Sequence, residues 1–173
     1  QSPIYIDLRK LVSYPDLLTQ VAEAYLPILR RLSFDRLAAI PYAALPIAVT
    51  IGLHSGWPLL YPRKETKPYG TQAEIEGDYA RGEVVVVIDD LTTTAGSKFE
   101  TIARLSAAGL QVKDIVVLID RQSGAKEALD QAGYRLHAVF SLNDLLDIWE
   151  ADSRVSSERI KAVRIWLKGA ANP

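Results

Sequence analysis

The stretch Val84-Val-Val-Val-Ile-Asp-Asp-Leu-Thr-Thr-Thr-Ala-Gly-Ser97 carries the side chains best suited to chemistry. An apolar run leads into two adjacent acids, Asp89 and Asp90, and then into a turn of hydroxyl-bearing and small residues that opens a helix. Ligands of open α/β sheets lie in the crevice outside the carboxyl ends of the strands, which puts both acids at its rim. Successive strand residues point to opposite faces, so in a regular strand one acid aims at ligand and the other serves the loop or a metal shell. Leu91, Thr92, Thr93, Thr94, Ala95, Gly96 and Ser97 offer backbone N–H donors, hydroxyls and a helix amino terminus, the makings of an anion site. Two carboxylates would repel a bare phosphate but suit a vicinal diol, or a magnesium ion carried on the same ligand. The combination points to a sugar phosphate. Helix capping alone explains the threonines but not two acids at the edge of so apolar a strand.

Cations gather elsewhere. Arg63-Lys64-Glu65-Thr66-Lys67-Pro68-Tyr69-Gly70 opens a polar segment, 62–82, longer than an ordinary connection, and such loops are usually functional or mobile. Arg121 follows Asp120 at the end of a second apolar run, where its planar guanidinium could grip a carboxylate through two hydrogen bonds. His54 and His137 sit among apolar neighbours without the arrangement of a nucleophilic triad and are read as structural. The absence of cysteine excludes disulfides, thiolate metal sites and a cysteine nucleophile, and suits the cytoplasm.

The elements that must hold these groups follow from periodicity. Nearly continuous apolar runs at Leu37–Ile40, Val84–Ile88 and Ile115–Ile119 imply strands buried on both faces of a parallel sheet. Pro58–Tyr61 and Tyr134–Phe140 complete a sheet of about five strands. Helical spacing marks Pro15–Leu32, with a kink expected at Pro27, then Ala44–His54, Lys98–Ala108 and Gly124–Ala132, and two more helices in 141–168. Alternation in Ser2–Arg9 predicts a half-exposed strand. At 173 residues and a net charge of −1, the chain is read as one α/β domain, with neither the charge for nucleic acid nor the apolar run for a membrane.

Asp89-Asp90-Leu91-Thr92-Thr93-Thr94-Ala95-Gly96-Ser97 resembles the phosphoribosyl pyrophosphate (PRPP) signature of type I phosphoribosyltransferases, with Ala95 where glycine is usual. Arg63–Gly70 resembles the mobile catalytic loop of orotate phosphoribosyltransferases, especially of the UMP synthase kind, with Tyr69 where many bacterial enzymes have histidine. Ile40-Pro41-Tyr42-Ala43-Ala44-Leu45-Pro46 resembles the pyrophosphate loop, with Ala43 where lysine is frequent, and Ser2–Ile6 resembles the hood segment.

The resemblance implies a type I phosphoribosyltransferase fold, with residues 1–14 in a small hood that a further segment precedes in the family, and 62–82 as the catalytic loop. It implies conversion of orotate and PRPP to orotidine 5′-monophosphate and pyrophosphate, with Mg²⁺ on the PRPP near Asp89 and Asp90. Arg63, Lys64 and Lys67 would meet the pyrophosphate with Tyr42, Ala43 and Tyr69, Thr93–Ser97 the 5-phosphate, and Asp89 and Asp90 the ribose hydroxyls. Tyr5, Ile6, Thr93 and Arg121 would place the orotate. A homodimer sharing sites through the loop, and fusion to or association with orotidylate decarboxylase, are also implied. The competing readings are a phosphoribosyltransferase for another base and a non-catalytic PRPP sensor of the same fold that binds nucleic acid.

Overall fold

A computed structural model describes residues 3–64 and 74–170. Its centre is a sheet ordered β3-β2-β1-β4-β5-β6. The strands are β1 Arg36–Ala39, β2 Leu59–Pro62, β3 Ile75–Glu76, β4 Val84–Thr92, β5 Gln111–Asp120 and β6 Arg135–Ser141. Five strands are parallel, as the apolar runs predict, and β3 adds a short sixth, antiparallel to β2. The segment 62–82, expected as one loop, therefore contains a strand.

Burial on both sheet faces follows the period of two along the strands. Val86, Ile88, Val116 and Leu118 pack with Tyr25, Leu29, Ile47 and Ile51 from α1 (Pro15–Leu29) and α2 (Ala44–Ser55). Val85, Val87, Ile115 and Val117 face the other way, onto Ile102 and Leu105 of α3 (Gly96–Ala107) and Leu129 of α4 (Ala125–Gln131). Helix α1 runs through Pro27 and ends three residues before the expected Leu32. Helices α5 (Leu142–Ala151) and α6 (Ser157–Ala170) bury Leu142, Leu146, Ile160 and Val163 against each other, and Ile4 and Ile6 pack there too.

The amino-terminal segment departs from expectation. Residues 3–7 pair with no strand, and Leu8–Ser13 forms a 3₁₀ helix whose first turn is capped by the Asp7 side chain, accepting from the Arg9 N–H at 3.2 Å. The alternation of Ile4, Ile6 and Leu8 seats them on helices and core, not in a ladder.

At the β5–β6 pairing, Asp114 is buried and accepts a fork from Arg135, at 2.8 and 2.7 Å, beside His137 Nε2 at 2.7 Å. Burial pushes its carboxyl up, but the hydrogen bonds of Arg135 and His137 outweigh this and hold it below its ordinary 3.8. The associated stability is present above 3.8 and is lost as pH falls below it through the folded value. Asp114→Asn is expected to cost on the order of 2 kcal/mol, discounted because Arg135 is solvent-exposed, or about 4–8 °C in Tm at pH 7. Thermal melts at pH 7 and pH 3 check this: the gap between variant and parent must narrow in acid.

Candidate active site

Strand order reverses between β1 and β4: the chain leaves β1 toward β2 and returns to pair β4 on the other side of β1. A crevice must open there at the carboxyl ends of the strands. A cleft of about 450 Å³ occupies that position, within the range of small-ligand sites. Tyr42 and Ala43 line it from the end of β1, Asp89, Asp90 and Leu91 from β4, and Thr93, Thr94 and Ser97 from the turn that follows.

Two helices begin at this cleft. Neither α2, after Ala43, nor α3, after Ala95, has a side chain capping its amino terminus. Their first N–H groups stay available to an anion, with the positive ends of both helix dipoles behind them. Helix α5, remote from the cleft, closes its own end with a capping box of Ser141 and Asp144. Ala95 stands where the signature usually has glycine; its φ is −83°, an ordinary backbone for an L-residue, so the β-carbon brings no strain. The Pro41–Tyr42 peptide is cis.

The two acids differ. Asp89 is buried, with Oδ2 2.7 Å from Lys98 Nζ and Oδ1 accepting the Asp90 N–H at 2.9 Å. Burial pushes its carboxyl up, with a further push from Asp90, against the pull of the Lys98 ammonium. Its carbonyl accepts from the Tyr25 hydroxyl, at 2.8 Å, linking the core to the strand end. Asp90 is half-buried, lines the cleft beside Asp89 and uses Oδ1 to accept the Leu91 N–H at 2.8 Å. Thr92 is fully buried and donates to the Thr94 carbonyl, so the hydroxyls facing the cleft are those of Thr93, Thr94 and Ser97.

The cations also divide. Lys64 lines the cleft with its ammonium 5.2 Å from the centre of the Tyr42 ring. Arg63 lies 2.6 Å from Glu76 across β2 and β3, its carbonyl accepts from Arg104, and its N–H donates to the Glu74 carbonyl at 2.8 Å. It thus anchors the base of the 65–73 segment and borders a smaller adjoining cavity with Lys64, Ser97 and Arg104. Lys67 and Tyr69 lie outside the described residues.

Arg121 sits at the end of β5, its N–H bonded to the Thr92 carbonyl at 3.0 Å and its guanidinium near the Ile4 carbonyl and over the Trp166 ring. Tyr5 is exposed and its hydroxyl accepts from Arg9, while Ile6 packs into the core. These three do not line the cleft with the acids. Two residues without an expected role do: Arg9, braced by Asp7 at 2.9 Å, and Lys98. Arg9 was legible only as a cation one turn beyond the hood segment.

No model of a known protein family matches the chain. It is 37% identical over 153 residues to the orotate phosphoribosyltransferase of Methanopyrus kandleri, covering 88% of this chain and 82% of that protein. The chain belongs to the orotate phosphoribosyltransferase family. It is also 44% identical, over 93% of its length, to the bifunctional enzyme PyrF/PyrE of Nostoc sp., but spans only 34% of that protein. The structure of Leishmania donovani UMP synthase superimposes with a TM-score of 0.92 at 47% identity, over 97% of this chain and 36% of that one. The orotate phosphoribosyltransferase of Aeropyrum pernix superimposes with a TM-score of 0.73 at 33% identity. The expected α/β architecture is therefore that of the family. Among the described residues no helix is long and apolar enough to cross a membrane.

Proposed function

We propose that this chain performs the orotate phosphoribosyltransferase step of pyrimidine biosynthesis, joining orotate to the ribose 5-phosphate unit of PRPP with loss of pyrophosphate. The observation that carries the proposal is the cleft at the β1–β4 crossover, where two helix amino termini without side-chain caps begin beside Asp89 and Asp90. A ligand with phosphates at both ends and a diol between them matches that set of groups.

In this reading a ring nitrogen of orotate forms the bond to the anomeric carbon as the bond to the pyrophosphate oxygen breaks. That carbon gains positive character as negative charge builds on the leaving group. Thr93, Thr94 and Ser97 with the N–H groups of α3 hold the 5-phosphate, and Asp90 accepts from the ribose hydroxyls. The N–H groups at the start of α2, with Lys64 and Lys67, receive the pyrophosphate. Arg121, at the end of β5, is assigned to the orotate carboxylate in this reading because arginine can meet it through bidentate hydrogen bonds.

Magnesium fits as an ion carried by the substrate. Among the described residues no three or more His, Asp or Glu side chains gather as a metal cage, whereas Asp89 and Asp90 line the cleft the ligand would occupy. When bound, the ion supplies charge neutralisation on the pyrophosphate. A homodimer sharing its sites through the Arg63–Gly70 stretch, a cytoplasmic location and linkage to a decarboxylase complete the proposal. The linkage is supported by the bifunctional relatives of which the chain covers about a third.

Incubation with PRPP, Mg²⁺ and orotate should consume orotate in step with pyrophosphate release, while uracil, adenine and hypoxanthine leave PRPP intact. Faster use of any of those bases than of orotate would overturn the substrate assignment.

A further inference from the structure

We infer that Lys98 is a positioning residue for PRPP binding: it ties the end of β4 to the first turn of α3, fixes the curve of the phosphate loop between them, and holds the Asp89 carboxyl in one orientation at the edge of the cleft. The inference rests on the PRPP-binding reading above and assigns a residue that neither the signature nor the mechanism uses.

The geometry is specific. Lys98 is only 2% exposed although lysine is rarely buried. Its ammonium lies 2.7 Å from Asp89 Oδ2, donates to the Leu91 carbonyl at 2.8 Å and reaches Ser97 Oγ at 3.4 Å. An ammonium has three donors, and these contacts engage all of them. They span the loop from its first residues to its last. The Leu91 carbonyl and the Asp89 carboxylate belong to the strand, whereas Lys98 is the third residue of α3. Without the bridge, the turn from Thr92 to Ala95 would be held mainly by the Thr92 hydroxyl bonded to the Thr94 carbonyl.

The same contacts sort the two acids. Asp89 gives one carboxylate oxygen to Lys98 and the other to the Asp90 N–H, which fixes its carboxyl at the cleft edge, whereas the Asp90 carboxyl is held through Oδ1 by the Leu91 N–H. A charge buried to this degree persists only when paired, so each member of the Asp89–Lys98 pair keeps the other in place. Asp90, one residue on, borders the same cleft.

Steady-state kinetics of the parent chain, Lys98→Met, Asp89→Asn and the double variant, with PRPP and orotate varied separately, test this. Lys98→Met should raise KM for PRPP by about 10–100-fold, the effect of losing one or two positioned hydrogen bonds to a charged group. KM for orotate should change by less than about threefold, since orotate sits beyond the loop. The double variant should bind PRPP no worse than Lys98→Met within about threefold, because both substitutions break one unit. Effects that multiply would overturn the inference, showing that Lys98 touches substrate independently of Asp89. A fall in Tm with KM for PRPP unchanged would also overturn it, leaving Lys98 a merely structural residue. If Lys98→Met alone does not fold, the double variant decides, since it buries no unpaired charge. Parent-like PRPP affinity in the double variant removes the positioning role. A parent chain that consumes no PRPP with orotate fails the proposed function itself, whereas an active parent with unaffected variants fails only this inference.

Discussion

Asp90→Asn lowers kcat/KM for PRPP by about 10²-fold while leaving Tm near that of the parent, as expected for loss of charged acceptance from two hydroxyls. The substitution keeps a side-chain oxygen for the Leu91 N–H, so the local turn survives, and it removes the negative charge from a carboxylate that lines the cleft and is not tied to Lys98. Asparagine can still accept one hydrogen bond from a diol but no longer two charge-assisted ones. The loss should appear with PRPP and not with orotate. Saturation curves for each substrate, with melts of both proteins, check it. A variant that uses PRPP as well as the parent would move the ribose away from Asp90 and leave the cleft without its diol acceptor.

Strands were legible where burial is simplest. The runs at Val84–Ile88 and Ile115–Ile119 are apolar because both faces are covered, and a run of β-branched residues has few other uses. The extension of β4 through Asp89, Asp90 and Thr92 was not legible, because aspartate disfavours strands; pairing of Leu91 with Ile119 and of Thr92 with Asp120 overrides that preference. Ser2–Arg9 misled for the opposite reason: alternation describes which residues are buried, not whether a neighbouring strand exists to pair with.

The site divides along the same line. Asp90, Thr93 and Ser97 lie within one short stretch of sequence, and a strand followed by a helix brings them to one cleft. Lys98 was passed over because a lysine at a helix start reads as solvated, and only a three-dimensional placement brings Asp89 to its ammonium. Arg63 read as a pyrophosphate cation from its company in a basic cluster, yet Glu76, thirteen residues on, engages it across β2 and β3. Sequence spacing carries local chemistry well and long-range pairing poorly.

Lys67→Ala should lower kcat by about 10²–10³-fold, the cost of removing one donor aimed at charge that develops only in the transition state. The prediction draws its force from the other cations of the stretch. Arg63 is engaged with Glu76, and the Lys64 ammonium stands over the Tyr42 ring at the cleft, so in the proposed reading Lys64 meets the pyrophosphate before it departs. Lys67 is the remaining cation between Arg63 and Gly70. KM for PRPP should move less than kcat, because in the proposed binding mode the ground-state phosphates would already meet the helix amino termini and Lys64 that line the cleft. Equal turnover in variant and parent would take Lys67 out of the mechanism. Mixing Lys67→Ala subunits with Asp90→Asn subunits then tests whether the stretch serves its own site or that of a partner. Random exchange makes about half the dimers mixed, and in a twofold dimer with shared sites each mixed dimer holds one site carrying both substitutions and one carrying neither. Activity should therefore recover to about a quarter of the parent value, far above either variant alone, and no recovery at any mixing ratio would restrict each stretch to its own subunit.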